Sequence, residues 1–305
     1  MFVEYKGSVL GLLSWQWRSV SLFVLAATGV VLAEEIGHID LEPFRLPGLP
    51  LAVVGGAIGI FASFRTNSAY DRWWEGRKLW GRLVNTSRHF CTQVLSYLPR
   101  GQDGPSETQR RLVHRQVAYV HVLRCLLRKQ DPFEDPDVTA FVDEAERAEL
   151  AGESNLTHAL LQRHADQLTA LTDDETLTEL RMQSFDESIR HLLDIQGGCE
   201  RIKKTPFPRG YGFVLERLIQ AYGVLLPLGL VESMGWMTIP ITGLVCLAFA
   251  LISEIGRVLE DPFTLFWPAL PLAALAKTIE INLRQRLGES DLPALPTPNE
   301  RGILM

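Results

Sequence analysis

Gly56, Ile60 and Phe64 stand four residues apart, so on an α-helix they stack along one face. None of the three can make or break a bond, and what they offer is physical. Several copies turned inward about an axis would give a wide level at Gly56 and two apolar rings at Ile60 and Phe64. An ion inside such rings meets no group that replaces its hydration shell, so the rings can gate by dewetting. Periodicity alone equally allows these side chains to face lipid or a core. Groups for bond chemistry are thin: there is no Walker A pattern, GxGxxG, HExxH or GxSxG. His114 and His121 lie seven apart with no third ligand spaced to them, so polar packing is the expected role and no metal or cofactor is implied. An enzyme is not expected.

The elements that would position that face are membrane spans. The chain has 305 residues, 47% of them hydrophobic, and the apolar ones concentrate in two blocks around a polar middle. Leu46–Phe64 is nineteen residues without a charge, close to the roughly 20 that cross a bilayer as a helix. It runs straight into FRTNSAYDRWWEGRKLWG, a basic, tryptophan-rich junction. Ser19–Ala33 is a shorter span behind Trp15, Trp17 and Arg18, which suit an interface. A signal peptide is the competing reading, opposed by Glu4 beside Lys6 and by Glu34–Glu35 where small residues should be. Phe213–Met237 and Ile239–Ile252 complete four spans, the last two as a hairpin turning at Glu232–Pro240. Glu216, Arg217, Glu232 and Glu254 are the charges in this region without an evident role.

Charge sets the expected orientation. Glu34, Glu35, Asp40 and Glu42 stand against Arg45 in the first loop, whereas Arg65, Arg72, Arg77, Lys78, Arg82 and Arg88 follow the second span. The positive-inside rule then puts the basic side, the polar middle and both termini in the cytoplasm, as a multi-pass protein of the plasma (inner) membrane. Asn85 and Asn155 begin glycosylation patterns on that cytoplasmic side, where neither is modified. Cysteines 91, 125, 199 and 246 form no CxxC pair and suit reduced intracellular residues. The arginine-rich junction is apolar along one side, which fits interfacial anchoring rather than nucleic acid.

The polar middle reads as helices: Arg110–Gln130, an acidic segment Phe141–Glu153, Asn155–Leu171, and Asp173–Ile195 with Thr172 as N-cap and Glu175 closing a capping box. Gly197–Gly198 and prolines 206 and 208 would end this bundle. Prolines 262, 268 and 271 precede an amphipathic helix, Ala273–Leu287, and the tail DLPALPTPNERGILM reads as extended, partly disordered or a strap along a neighbouring subunit. The expected organisation is all-α: 1–98 with two spans and the basic junction, 99–212 cytoplasmic, 213–253 with two spans, and 254–305 cytoplasmic.

The stretch FRTNSAYDRWWEGRKLWG resembles the signature of the bestrophin family in its bacterial branch, with Arg72, Trp73, Trp74 and Glu75 at its centre. Gly198-Cys-Glu-Arg-Ile with Thr205-Pro-Phe-Pro, Ile252-Ser-Glu-Ile-Gly, and Glu260 followed by Asp261, Pro262 and Phe263 agree with it. The resemblance implies a homopentameric ion channel in membrane lipid, with four transmembrane helices per subunit, a cytoplasmic helical region and a hydrophobic neck. It assigns Phe64, Ile60 and Gly56 to the innermost, middle and outermost neck levels. Gly56 departs from the bulky residue usual there, which leaves two rings. A second constriction is implied near Met182 or Gln183. No carboxylate follows Phe263 until Glu280, so the six to eight oxygen ligands of a calcium clasp are not in evidence. The resemblance leaves the sign of the permeant monovalent ion open. The acidic outer loop and Glu134, Asp135, Asp137, Asp143, Glu144, Glu146 and Glu149 lean the expectation to cations such as sodium, with a chloride channel as the alternative and a non-conducting membrane scaffold as the reading of another class.

Overall fold

A computed structural model describes residues 9–37, 39, 41–266, 268–299 and 302–304, and the side chains from Trp15 onward except those of residues 49 and 209. Among the described residues the regular structure is helical: α1 Val9–Glu35, α2 Gly48–Tyr97, α3 Glu107–Leu127, α4 Pro136–Thr139, α5 Glu144–Leu150, α6 Leu156–Asp173, α7 Glu179–Lys204, α8 Arg209–Met234, α9 Thr238–Leu259 and α10 Leu272–Arg286. The chain divides into two compact units. One takes α1, the α2 residues to Arg72, α8 and α9. The other takes α2 from Trp73, α3 to α7 and α10. Glu4, Lys6 and Asp40, which entered the sequence reading, lie outside the described residues, as do Glu300, Arg301 and Met305 of the tail.

In the first unit α1, α8 and α9 pack pairwise on one another. Phe23, Ala27 and Val31 recur every fourth residue on α1 and are buried, the stripe that a 3.6-residue period turns to one side. They belong with Ile58 and Ala62 of α2, Leu215, Ile219 and Leu226 of α8, and Cys246 of α9 to the buried interior. Trp15–Glu35 and Gly210–Leu259 are long and apolar enough to cross a membrane. The hairpin turn between α8 and α9 is the short 3-10 stretch Gly235–Met237, where Gly235 takes φ +47°, a conformation open to a residue without Cβ.

The second unit is organised around α3. Its polar residues suggest an amphipathic surface helix, yet Leu112, Val113, Val117, Tyr119, Val120 and Leu123 are buried around nearly its whole circumference. The polar residues are buried with them and hydrogen-bonded. Gln109 Nε2 donates to the carbonyls of Val94 and Leu98 at 3.1 Å each, and Gln116 Nε2 donates to Ser87 Oγ at 2.9 Å. Ser106 caps the helix in a reciprocal capping box with Gln109.

Two readings of this region are corrected. Thr172 is no N-cap: it lies in the last turn of α6 and its hydroxyl donates to Leu168 O at 3.0 Å. The chain instead turns at 174–178, where Glu175 takes φ +62°, and α7 starts at Glu179. Gly197–Gly198 do not end the bundle but lie inside α7. A Cβ on Gly198 would come within 2.8 Å of Leu79 Cδ2, so that glycine answers to helix–helix approach rather than to a break. All four cysteines are free and buried, and burial pushes the Cys199 thiol up to about 12.

Charge is gathered where α3, α4 and α10 meet. His121 Nε2 lies 3.0 Å from Glu280 Oε2, Lys277 Nζ reaches Glu280 at 2.8 Å and Asp137 at 2.7 Å, and Arg284 NH1 reaches Glu280 at 3.0 Å. Arg124 holds Asp135 at 2.5 Å and Asp137 at 3.3 Å. Burial alone would raise the Glu280 pKa, but hydrogen bonds from His121 and Lys277 and their charges hold it down to about 2. A carboxylate depressed on folding stabilises the fold above its unfolded pKa, and that contribution disappears as pH falls toward 2. Glu280→Gln is therefore expected to cost on the order of 3 kcal/mol at neutral pH. In thermal unfolding of the purified protein the variant should also show a shallower loss of stability between pH 4.5 and the acid limit.

Candidate functional site

The helix that carries Gly56, Ile60 and Phe64 has two unlike sides within the first unit. Leu51, Ile58, Ala62, Arg65 and Ala69 are buried. Ile60 and Phe64 are 62% and 67% exposed, and a Cβ added to Gly56 would meet nothing within 4 Å. Apolar side chains this exposed, in a row at helical spacing, form a face that the chain's own helices leave without a partner. The three residues are thus together on one face, as the spacing predicts. Gly55 and Gly59 lie against the unit's own helices. A Cβ on Gly55 would come within 2.7 Å of the Tyr222 hydroxyl on α8, and one on Gly59 would lie 3.7 Å from the Phe249 ring on α9. They permit packing inside the unit. Ala62 is likewise fully buried.

The signature residues hold backbone and one another. Arg72 Nε donates to the carbonyl of Glu260 at 3.1 Å. In the second unit Trp73 Nε1 donates to Pro268 O at 2.9 Å and its ring stacks beside Trp74 at 6.3 Å. Glu75 pairs with Arg201 of the Cys-Glu-Arg-Ile stretch. Asp261 Oδ2 accepts from Lys203 Nζ at 2.7 Å and its Oδ1 accepts from Phe263 N at 3.1 Å. That bond closes a turn over Pro262 and places Phe263 fully buried. Among the described residues no three His, Cys, Asp or Glu side chains are grouped as metal ligands, and both Asp261 oxygens are engaged within the fold.

At the start of α7, Met182 is half-buried against the core of the second unit and Gln183 is exposed. Close by, Leu180 is 76% exposed, the most exposed of the large apolar side chains described. An apolar residue at the second position of a charged helix was the available signal of that exposure, masked because a buried leucine reads the same way in sequence.

The acidic residues that favoured cations are largely engaged inside the chain. Glu34 and Glu232 both take Arg45, at 2.7 and 3.2 Å. Asp135 and Asp137 hold Arg124. Glu146 takes Arg115 at 3.3 Å and Arg163 at 3.2 Å, and Glu149 takes Arg163 at 2.7 Å. Asp143 caps α5. Of the remaining unassigned charges, Glu254 pairs with Arg257, and Arg217 donates to Gln220 at 2.7 Å. Glu216 lines a cavity of about 250 Å³ with Glu254, Gln16, Ser19 and Ser253.

Comparison with known proteins follows the same outline. Residues 1–285 match the sequence family described as Bacterial/Fungal Bestrophin protein. A voltage-dependent anion channel-forming protein of Mesorhizobium japonicum is 35% identical over 259 residues, 85% of this chain and 81% of that one. The voltage-dependent anion channel-forming protein YneE of Escherichia coli is 32% identical over 295 residues, 97% of this chain and 93% of that one. The crystal structure of a bacterial bestrophin homologue from Klebsiella pneumoniae superposes with a TM-score of 0.83 at 29% identity, covering 90% of this chain and 98% of that one. The two channel-forming relatives are named for anions, so the leaning to cations finds no support and is withdrawn; its physical weakness is that formal acidic residues paired with arginine supply little field. With its sequence and its helical fold matched over most of its length, the chain belongs to the bacterial and fungal bestrophin family, a family of ion channels rather than enzymes.

Proposed function

We propose that this protein is a bestrophin-type channel that passes monovalent anions such as chloride through a pore between copies of the chain. The observation that carries the reading is the unpartnered row at Gly56, Ile60 and Phe64 on a helix whose opposite side is packed. A single unit of α1, α2, α8 and α9 has no room for both a packed core and an aqueous path. The path therefore runs between subunits, five by family resemblance, each contributing four membrane-crossing helices. Ile60 and Phe64 form two apolar rings, and the open level at Gly56 leaves the outer mouth wide. The second constriction is assigned to Leu180, since its side chain is free while Met182 is held by the core. Both termini and the helical unit built on α3 lie in the cytoplasm of the cell bearing this inner-membrane protein, in keeping with the basic residues after Phe64. The names of the relatives support the anion.

Reconstituted in liposomes under a sodium chloride gradient, the purified protein is expected to reverse near the chloride potential; reversal near the sodium potential would overturn the anion, and no flux would leave a scaffold. Mass measurement of the detergent-extracted assembly is expected to give five copies.

Truncating the rings tests the neck. Phe64→Ala and Ile60→Ala are each expected to raise conductance by roughly twofold or more, because each removes apolar atoms from a dewetting constriction. Ser63→Ala, on an exposed neighbour, should leave conductance near wild type.

A further inference from the structure

We propose that Arg65 and Glu260 form a charge-balanced positioning pair behind the proposed neck, so that unbalancing the pair changes which sign of ion passes. This rests on the channel reading given above and goes beyond it to residues off the pore face. Arg65 follows Phe64 directly, about 3.8 Å away between Cα atoms, yet it turns to the packed side of α2, where its side chain is only 3% exposed. Its Nε and NH2 donate to Glu260 Oε1 at 3.1 and 2.8 Å, and NH1 donates to Ser253 Oγ at 3.2 Å.

Three helices close on that guanidinium. Ser253 belongs to α9 and Glu260 caps its C-terminus. From α8, a Cβ on Gly212 would come within 2.9 Å of Arg65 NH2, so only glycine leaves the space the guanidinium fills. Next to it on α2, Thr66 Oγ1 donates to Ile252 O at 3.3 Å, and about two turns on Arg72 Nε donates to Glu260 O. Arg257 of α9 is paired with Glu254, and the ion pair of the Glu260 carboxylate is with Arg65. A buried cation held by a rigid fork fixes the rotation of α2 about its axis, and with it the direction of the Phe64 ring.

The electrostatic consequence has a sign. The apolar rings carry no charge of their own, so a fixed charge directly behind them, repeated by every copy, acts on an ion that has lost part of its hydration shell. While Glu260 balances Arg65 the net effect is small. Glu260→Gln leaves the guanidinium uncompensated and should favour anions. Arg65→Gln leaves the carboxylate and should favour cations.

The test uses the full-length protein in liposomes, with current–voltage curves under a salt gradient for wild type, Arg65→Gln, Glu260→Gln and the double variant. The single variants are expected to shift the chloride-to-sodium permeability ratio in opposite directions by about threefold or more each. The double variant should return to the wild-type ratio. Arg65→Lys, which keeps the charge without the fork, should keep the wild-type ratio with altered conductance. Single variants that shift the ratio the same way, or leave it unmoved while flux persists, overturn the pair's role, since a merely structural loss is blind to sign. If wild type carries no flux, the channel reading fails instead. The pair is then judged by a double-mutant cycle in thermal unfolding, where strictly additive losses sink it.

Discussion

The rotation of α2 about its own axis is the constraint on which the rest depends. A helix presents side chains every 100° or so, and once one side is committed to neighbours the direction of every other residue follows. Here the commitment is made by small or exactingly placed groups: Gly55 beneath the Tyr222 hydroxyl, Ala62 and Ala69 with no exposure, and Arg65 held by Glu260 and Ser253. Ile60 and Phe64 are exposed as the other half of the same fact. Removing one partner of a buried ion pair typically costs about 3–5 kcal/mol, so this side of the helix resists rotation far more than apolar contacts alone would.

The same logic of paired burial organises the unit built on α3. That helix is almost surrounded, so each polar side chain it carries must find a partner or impose a desolvation cost of a few kcal/mol. His121, Arg124, Gln109 and Gln116 all do so, against α10, the segment leading into α4, and α2. The Asp261–Lys203 and Glu75–Arg201 pairs bring three stretches distant in sequence into one neighbourhood. The signature residues therefore tie together stretches of the fold that are remote in sequence.

Ion sign illustrates why formal charge is a poor guide. Glu34, Glu232, Asp135, Asp137, Glu146 and Glu149 are acidic in composition but sit within ion-pair distance of arginine or lysine. A carboxylate so paired contributes a short-range dipole rather than a long-range field, and salt screens what remains beyond roughly 8 Å. An expectation built on counting acids lacked the one fact that mattered, which is where each acid's partner stands.

Much was legible in the residues themselves. Apolar run lengths marked Ser19–Ala33 and the stretch from Phe213 to Ile252, both inside segments long and apolar enough to cross a membrane; the i, i+4, i+8 spacing put Gly56, Ile60 and Phe64 on one face, and the tryptophan-rich junction with its partner stretches pointed to the family, because these are local patterns that backbone geometry and bilayer thickness translate directly. Tertiary structure decided what depends on neighbours remote in sequence. It made Gly55 and Gly198 packing sites, Thr172 a residue of the last turn of α6 and Leu180 the exposed one, and it turned Arg65 inward to a glutamate 195 positions away. A side chain's type limits what it can do, but its burial and its partner's charge are set by the helix packed against it, and no spacing along the chain records which helix that is.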